Sequence, residues 1–221
     1  MMNTYDYIVK KYNITLGKEY FIDLPEMKGS TDLAKLFAEL GFTKGAEIGT
    51  DQGEYAEILC KNIPNLHLIC VDPWKAEAYE PGEQPEGSEP QSYFDERLDD
   101  ARERLLPYDC EIRRTTSIEA AEGNFDYPPV EDNSLDFVYI DANHDFLNVT
   151  VDIHYWLKKV RPGGIISGHD YCYVPSARFN HVKRVVQAYA MSYHLLPVFA
   201  AQYMKKGLKR DHFRSWFIVK P

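Results

Sequence analysis

The sequence predicts an α/β fold with about seven mostly parallel strands and helices on both faces of the sheet. Two observations carry this expectation. Short apolar runs alternate with amphipathic segments of helical spacing, the order of βαβ units in which helices cover both sheet faces. The chain of 221 residues is 44% apolar and 27% charged, enough for one well-buried core.

The elements follow in order. Residues 1–30 read as an N-terminal appendage whose tyrosines pack onto the body, and residues 31–221 as a single domain. Ser30 or Thr31 caps a helix in which Leu33, Leu36, Phe37 and Leu40 recur at helical spacing, and Gly41 stops it. A strand over Gly45–Gly49 leads to a helix carrying Tyr55, Ile58, Leu59 and Ile63. Leu66–Asp72 is the continuous apolar run of a strand buried on both faces. Pro81, Gly82, Pro85 and Pro90 break the next stretch into a long loop, and loops of that length are commonly functional. A charged helix (Tyr93–Leu106) and a strand (Cys110–Arg114) follow, then a loop through Pro128-Pro129 and a strand over Leu135–Asp141. The next helix places Val149, Ile153, Trp156, Leu157 and Val160 on one face and stops before Pro162-Gly163-Gly164. A strand over Ile165–Gly168, a helix over His181–Tyr193, and strands near Leu196–Gln202 and Ser215–Lys220 complete the chain.

Composition excludes several classes. The longest apolar stretches fall far short of a membrane helix. The opening residues lack a basic and an apolar signal region. With Lys+Arg 25 against Asp+Glu 34, the net charge of −9 disfavours general nucleic-acid binding. Cys60, Cys70, Cys110 and Cys172 lie far apart without a C-x-x-C pair, which fits reduced thiols and a cytoplasmic location. Charge is unevenly placed. Ala76–Asp100 holds nine acids and one base, and Ser176–Pro221 nine bases and one acid. Solvated surface is one reading; an acidic lid over residues 76–92 facing a basic wall, around an anionic substrate, is the other.

Ligands of such sheets bind at the carboxyl ends of the strands. Those ends are Glu47–Gly53, Asp72–Trp74, Arg114–Ser117, Asp141–His144 and Gly168–Tyr171, and four of the five carry an acid. Gly49 and Gly53 permit a tight turn at the next helix N-terminus. Asp51 in that turn would repel a pyrophosphate and suits a cationic or neutral ligand. Asp72, twenty-three residues after Gly49, can accept both ribose hydroxyls, or it simply caps the following helix. Trp74 either packs on the ligand or belongs to the core, and Tyr171 and Tyr173 are candidates for an acceptor pocket. A phosphate-free nucleoside with a positive centre, such as S-adenosylmethionine, matches this pattern.

The runs Gly45–Tyr55, Cys70–Trp74, Asp136–Asp141 and Arg161–Gly164 resemble class I S-adenosylmethionine-dependent methyltransferases of Rossmann-like fold, which implies that the C-terminal strand is antiparallel. Tyr139–His144 with Gly168–Tyr171 is similar to the sugar and macrolide-sugar O-methyltransferases. Asp51 replaces the middle glycine of the commoner first-turn pattern. The resemblance implies that Glu47, Gly49 and Gly53 surround the methionine moiety, Asp72 holds the ribose, Ser117 lies by the adenine and Asp141 sits beneath the sulfonium. It also implies either a divalent cation (Mg or Mn) on Asp141, His169 and Asp170, or His144 or His169 as general base, with Asp170 in the catalytic set. The expected activity is O-methylation of a small hydroxylated acceptor such as a sugar or glycosylated metabolite, by a monomer or homo-oligomer. A non-catalytic cofactor-binding protein on the same scaffold and a nicotinamide-dependent oxidoreductase are the alternatives; the missing G-x-G-x-x-G counts against the latter.

Overall fold

The computed structural model describes residues 3–15, 17, 19–76, 88–172, 180–202 and 213–221. The acidic segment 77–87, Tyr173 and residues 203–212 of the basic region lie outside the described residues.

Apolar runs buried on both faces pair into one eight-stranded sheet. Its strands are β1 (Phe21–Leu24), β2 (Lys44–Ile48), β3 (His67–Asp72), β4 (Cys110–Arg114), β5 (Leu135–Ile140), β6 (Val160–Gly168), β7 (Val198–Ala201) and β8 (Trp216–Val219). The spatial order is β1-β7-β8-β6-β5-β2-β3-β4. All neighbours are parallel except the two pairs made by β8, which is antiparallel to β6 and β7.

The described helices are α1 (Thr4–Lys11), α2 (Ser30–Glu39), α3 (Glu54–Asn62), α4 (Gln91–Leu105), α5 (Ser117–Glu122), α6 (Phe146–Lys159) and α7 (Val182–Ser192). Alternation along the strands divides the core. Ala46, Ile48, Val138 and Ile140 face α5, α6 and α7, where Trp156 is fully buried. Leu68, Cys70, Phe137 and Tyr139 face α1, α2 and α3. Among the described residues, no helix is long and apolar enough to cross a membrane.

The sheet departs from expectation at two places. The first thirty residues do more than lie against the body, because β1 pairs in parallel with β7 and adds an eighth strand. Phe21-Ile22-Asp23-Leu24 is too short to carry a periodic signal, and the unpaired edge of β7 supplies its ladder. Ile8 of α1 is fully buried, and the Thr4 hydroxyl donates to the Gly163 carbonyl at 2.6 Å. Secondly, β6 runs straight through Pro162-Gly163-Gly164. A Cβ on Gly164 would lie 2.5 Å from the Asp136 carbonyl, so only glycine lets the strand pass there.

The chain winds outward through β2, β3 and β4, then restarts at β5 on the other side of β2. The carboxyl ends of β2 and β5 therefore flank the topological switch point, where open α/β sheets form their ligand crevice.

Candidate functional site

The crevice starts at the turn after β2. Gly49 has φ +89°, and a Cβ there would stand 2.1 Å from the Asp141 carbonyl oxygen. Glycine is thus required by backbone conformation and by the approach of the β5 end. Asp51 also adopts a left-handed backbone, φ +51°, which Asp tolerates better than most residues. Gly53, φ +74°, caps α3.

This turn is fastened from β3 and α4. The Asp51 amide donates to Asp72 Oδ2 at 3.1 Å, and the Trp74 amide to Asp72 Oδ1 at 2.8 Å. Burial raises the Asp72 carboxyl. Trp74 is 1% exposed, packs with Leu98 and Ala101 of α4, and donates its Nε1–H to the Asp51 carbonyl at 2.9 Å. It braces the turn from beneath and does not line the crevice. The Asp51 carboxylate, read from sequence as a charge facing the ligand, is paired with Arg97 of α4. Arg97 had no motif to reveal it, being the one base in an acidic stretch.

Two adjoining cavities share Gly49, Asp51 and Asp141 and form one cleft along the strand ends. The smaller, about 180 Å³, is lined by Ser30, Glu47, Tyr55, Tyr139 and His169 among others. Glu47 is 2% exposed, and burial pushes its carboxyl well above the usual range. Its Oε2 is buried without a hydrogen-bond partner among the described residues. The larger cavity, about 670 Å³, reaches from Asp72 to Ser117 and Asp152, a size suited to a small organic ligand.

Ser117 opens α5 behind a reciprocal cap between Thr116 and Glu119, and its hydroxyl accepts the Trp156 indole N–H at 2.9 Å. Asp152 on α6 borders the same cavity, with its carboxyl pushed up to about 6 by burial. Its place on an otherwise apolar helix face was the available signal, and the sequence reading passed over it.

Where the two cavities meet, Asp141 lines both, and His144 and Asp170 converge on it from the ends of β5 and β6. Each offers a donor atom, and the three atoms lie within 4.8 Å of one another. His144 Nε2 is 2.9 Å from Asp170 Oδ2 and 3.7 Å from Asp141 Oδ1. Contact with Asp141 and Asp170 lifts His144 to about 10. Burial alone would raise Asp170, but His144 and then His169 outweigh it and hold the carboxyl well below its usual range. Asn180 Nδ2 donates to Asp170 Oδ1 at 3.1 Å.

His169 lies beside this group rather than in it, with Nδ1 3.4 Å from Asp170 Oδ2 and 3.9 Å from Asp141 Oδ2. Among the described residues, the donor atoms that lie within 4.8 Å of one another are those of Asp141, His144 and Asp170, with His169 beside them. Asp170 has a left-handed backbone, φ +59°. Tyr171 is not at an acceptor pocket. It is 2% exposed, and its hydroxyl accepts from Gln187 Nε2 at 2.9 Å.

The fold recurs among known proteins. Among solved structures, the O-methyltransferase from Bacillus cereus in complex with SAH aligns at a TM-score of 0.58 and 20% identity, covering 86% of this chain and 80% of that one. The O-methyltransferase TomG from Streptomyces achromogenes, involved in tomaymycin synthesis and in complex with SAM, aligns at 0.56 and 16% identity, covering 96% and 86%. At these identities the likeness is one of fold. No curated protein matches the chain. Residues 46–171, which span β2 to the end of β6, match the methyltransferase domain family. The chain belongs to that family and is a class I S-adenosylmethionine-dependent methyltransferase.

Proposed function

We propose that the protein methylates a hydroxyl group of a small acceptor, such as a sugar or glycosylated metabolite. The observation that carries this reading is the convergence of Asp141, His144 and Asp170 beside the Gly49 turn, where the two cavities of the cleft meet. The O-methyltransferases of like fold point to the same acceptor chemistry.

In this reading Glu47, Gly49 and Gly53 surround the methionine moiety. The buried, unpartnered Glu47 Oε2 suits an ammonium group. Asp72 takes the ribose, and Ser117 lies by the adenine. S-adenosylmethionine, when bound, supplies an electrophilic methyl group on its sulfonium. Asp141 lies where the two cavities meet, between the residues assigned to the methionine moiety and those assigned to the ribose, and so beneath the sulfonium.

The mixed donor set of two carboxylates and an imidazole suits a divalent cation such as Mg or Mn, held by Asp141, His144 and Asp170. Such a cation lowers the pKa of an acceptor hydroxyl and orients it. His144, held protonated between two carboxylates, is poorly placed to act as a base in the metal-free protein. His169 borders the cavity outside the donor set and is assigned the acceptor proton. The methyl transfer itself needs little beyond alignment and exclusion of water.

Thermal unfolding with S-adenosylhomocysteine, NADH and Mn²⁺ tests the ligand part. A ligand at 100 times its Kd adds about 2.7 kcal/mol, a shift of about 5–10 °C for a domain of this size. Stabilisation by S-adenosylhomocysteine and further gain with Mn²⁺ are expected; no effect of Mn²⁺ removes the cation site. Mass spectrometry of a panel of hydroxylated acceptors then reads the transferred methyl, and methylation confined to nitrogen or carbon acceptors overturns the O-methyl assignment.

A further inference from the structure

The four cysteines are dispersed in the chain, yet the fold gathers three of them on one face of the sheet. Cys60 lies in the last turn of α3, Cys70 in β3, and Cys110 opens β4. Leu68 pairs with Cys110 and Cys70 with Ile112, so Cys70 and Cys110 project to the same sheet face, the one that α3 covers. The sulfurs of Cys60 and Cys110 are 3.5 Å apart.

We propose that Cys60 and Cys110 form a covalent modification site, a thiol pair that small disulfides of the glutathione class convert to an intramolecular disulfide. Three features of the site support this. The sulfurs already touch, so reaching a bond length of about 2.05 Å needs a closure of about 1.5 Å. Both residues sit where backbone can yield. Cys60 is two residues from the end of α3, and Cys110 is the first residue of an edge strand paired only with β3. Both are half-buried and within reach of a small reagent, whereas Cys70 and Cys172 are buried.

The order of events follows from the hydrogen bonding. Either sulfur can donate across the 3.5 Å contact; donation from Cys60 to Cys110 favours the Cys110 thiolate and raises Cys60. Cys110 attacks the small disulfide, forming a mixed disulfide and releasing one thiolate. Cys60 then attacks the Cys110 sulfur, and its proton leaves with the second small thiol. The two protein thiols lose two electrons and the reagent gains them, so the exchange balances. The product ties the end of α3 to the edge of the sheet and closes a loop containing β3 and α4.

The folded protein is incubated with oxidised glutathione, followed by thiol titration and peptide mapping without reductant. The expected result is a fall from four free thiols to two, with one Cys60–Cys110 peptide. Cys60→Ser should stop at a glutathione adduct on Cys110, and Cys70→Ser should still form the bond. Retention of all four thiols, an adduct in the unaltered protein that never resolves, or a bond to Cys70 or Cys172 overturns the proposal. The map of the unaltered protein decides the question even where a variant fails to fold.

Discussion

His144 Nε2 stands 2.9 Å from Asp170 Oδ2, although the two residues belong to loops after different strands. The contact, together with Asp141, holds a proton on His144 up to about pH 10. A cation bound by these three residues must displace that proton, so its affinity should fall about tenfold per pH unit below pH 10. Titration with Mn²⁺ at several pH values measures this, and a flat profile refutes it. In the metal-free protein the folded-state pKa is raised. Its stabilising contribution is therefore complete below the usual 6.5 and is lost as pH rises through about 10. His144→Gln should flatten that decline.

Burial favours the neutral form of the Glu47 carboxyl in the free protein. An ammonium group beside it favours the carboxylate, so cofactor binding should release a proton and strengthen as pH rises. Calorimetry of S-adenosylhomocysteine binding in buffers of different ionisation enthalpy reads the proton directly. Glu47→Gln should weaken binding by about tenfold, the loss of one charge-assisted hydrogen bond, and abolish the buffer dependence. Unchanged proton release in the variant would assign the effect elsewhere.

Gly49 and Gly41 separate crowding from backbone strain. Both have positive φ, but a Cβ on Gly41 meets nothing within 4 Å, whereas one on Gly49 strikes the Asp141 carbonyl. Gly41→Ala should cost about 1 kcal/mol and Gly49→Ala about 3 kcal/mol or more in urea unfolding. Equal costs would show that the β2 and β5 ends can move apart.

Trp74→Phe keeps most of the packing against α4 but removes the indole donor to the Asp51 carbonyl. A loss of about 1 kcal/mol in stability is expected. The cofactor KM should rise several-fold, with kcat unchanged at saturating cofactor. A lowered kcat with unchanged KM would place Trp74 in the transfer step instead of in the turn.

The positions of Glu47, Gly49, Gly53 and Asp72 at the strand ends and turn were legible because they fall within one strand, turn, helix and strand, whose spacing is a property of the chain. Asp141 was legible for a similar reason, since an acid closing an apolar run marks a strand end. The pairing of Arg97 with Asp51 was not, because it exists only once α4 packs along α3. The approach of His144 to Asp170 was not legible either, because it joins the loops after β5 and β6.

The sequence by itself determined the alternation of strands and helices and which residues close each strand, since these depend on hydrophobic periodicity and on strand-end position. Only the tertiary structure decided that β1 completes the sheet beside β7, that Trp74 supports the turn from below, and that Cys60 meets Cys110. Each is a contact between segments whose local patterns are silent about one another. Such contacts are selected by the pairing of edges and the packing of faces, energies that exist only once the whole sheet has assembled.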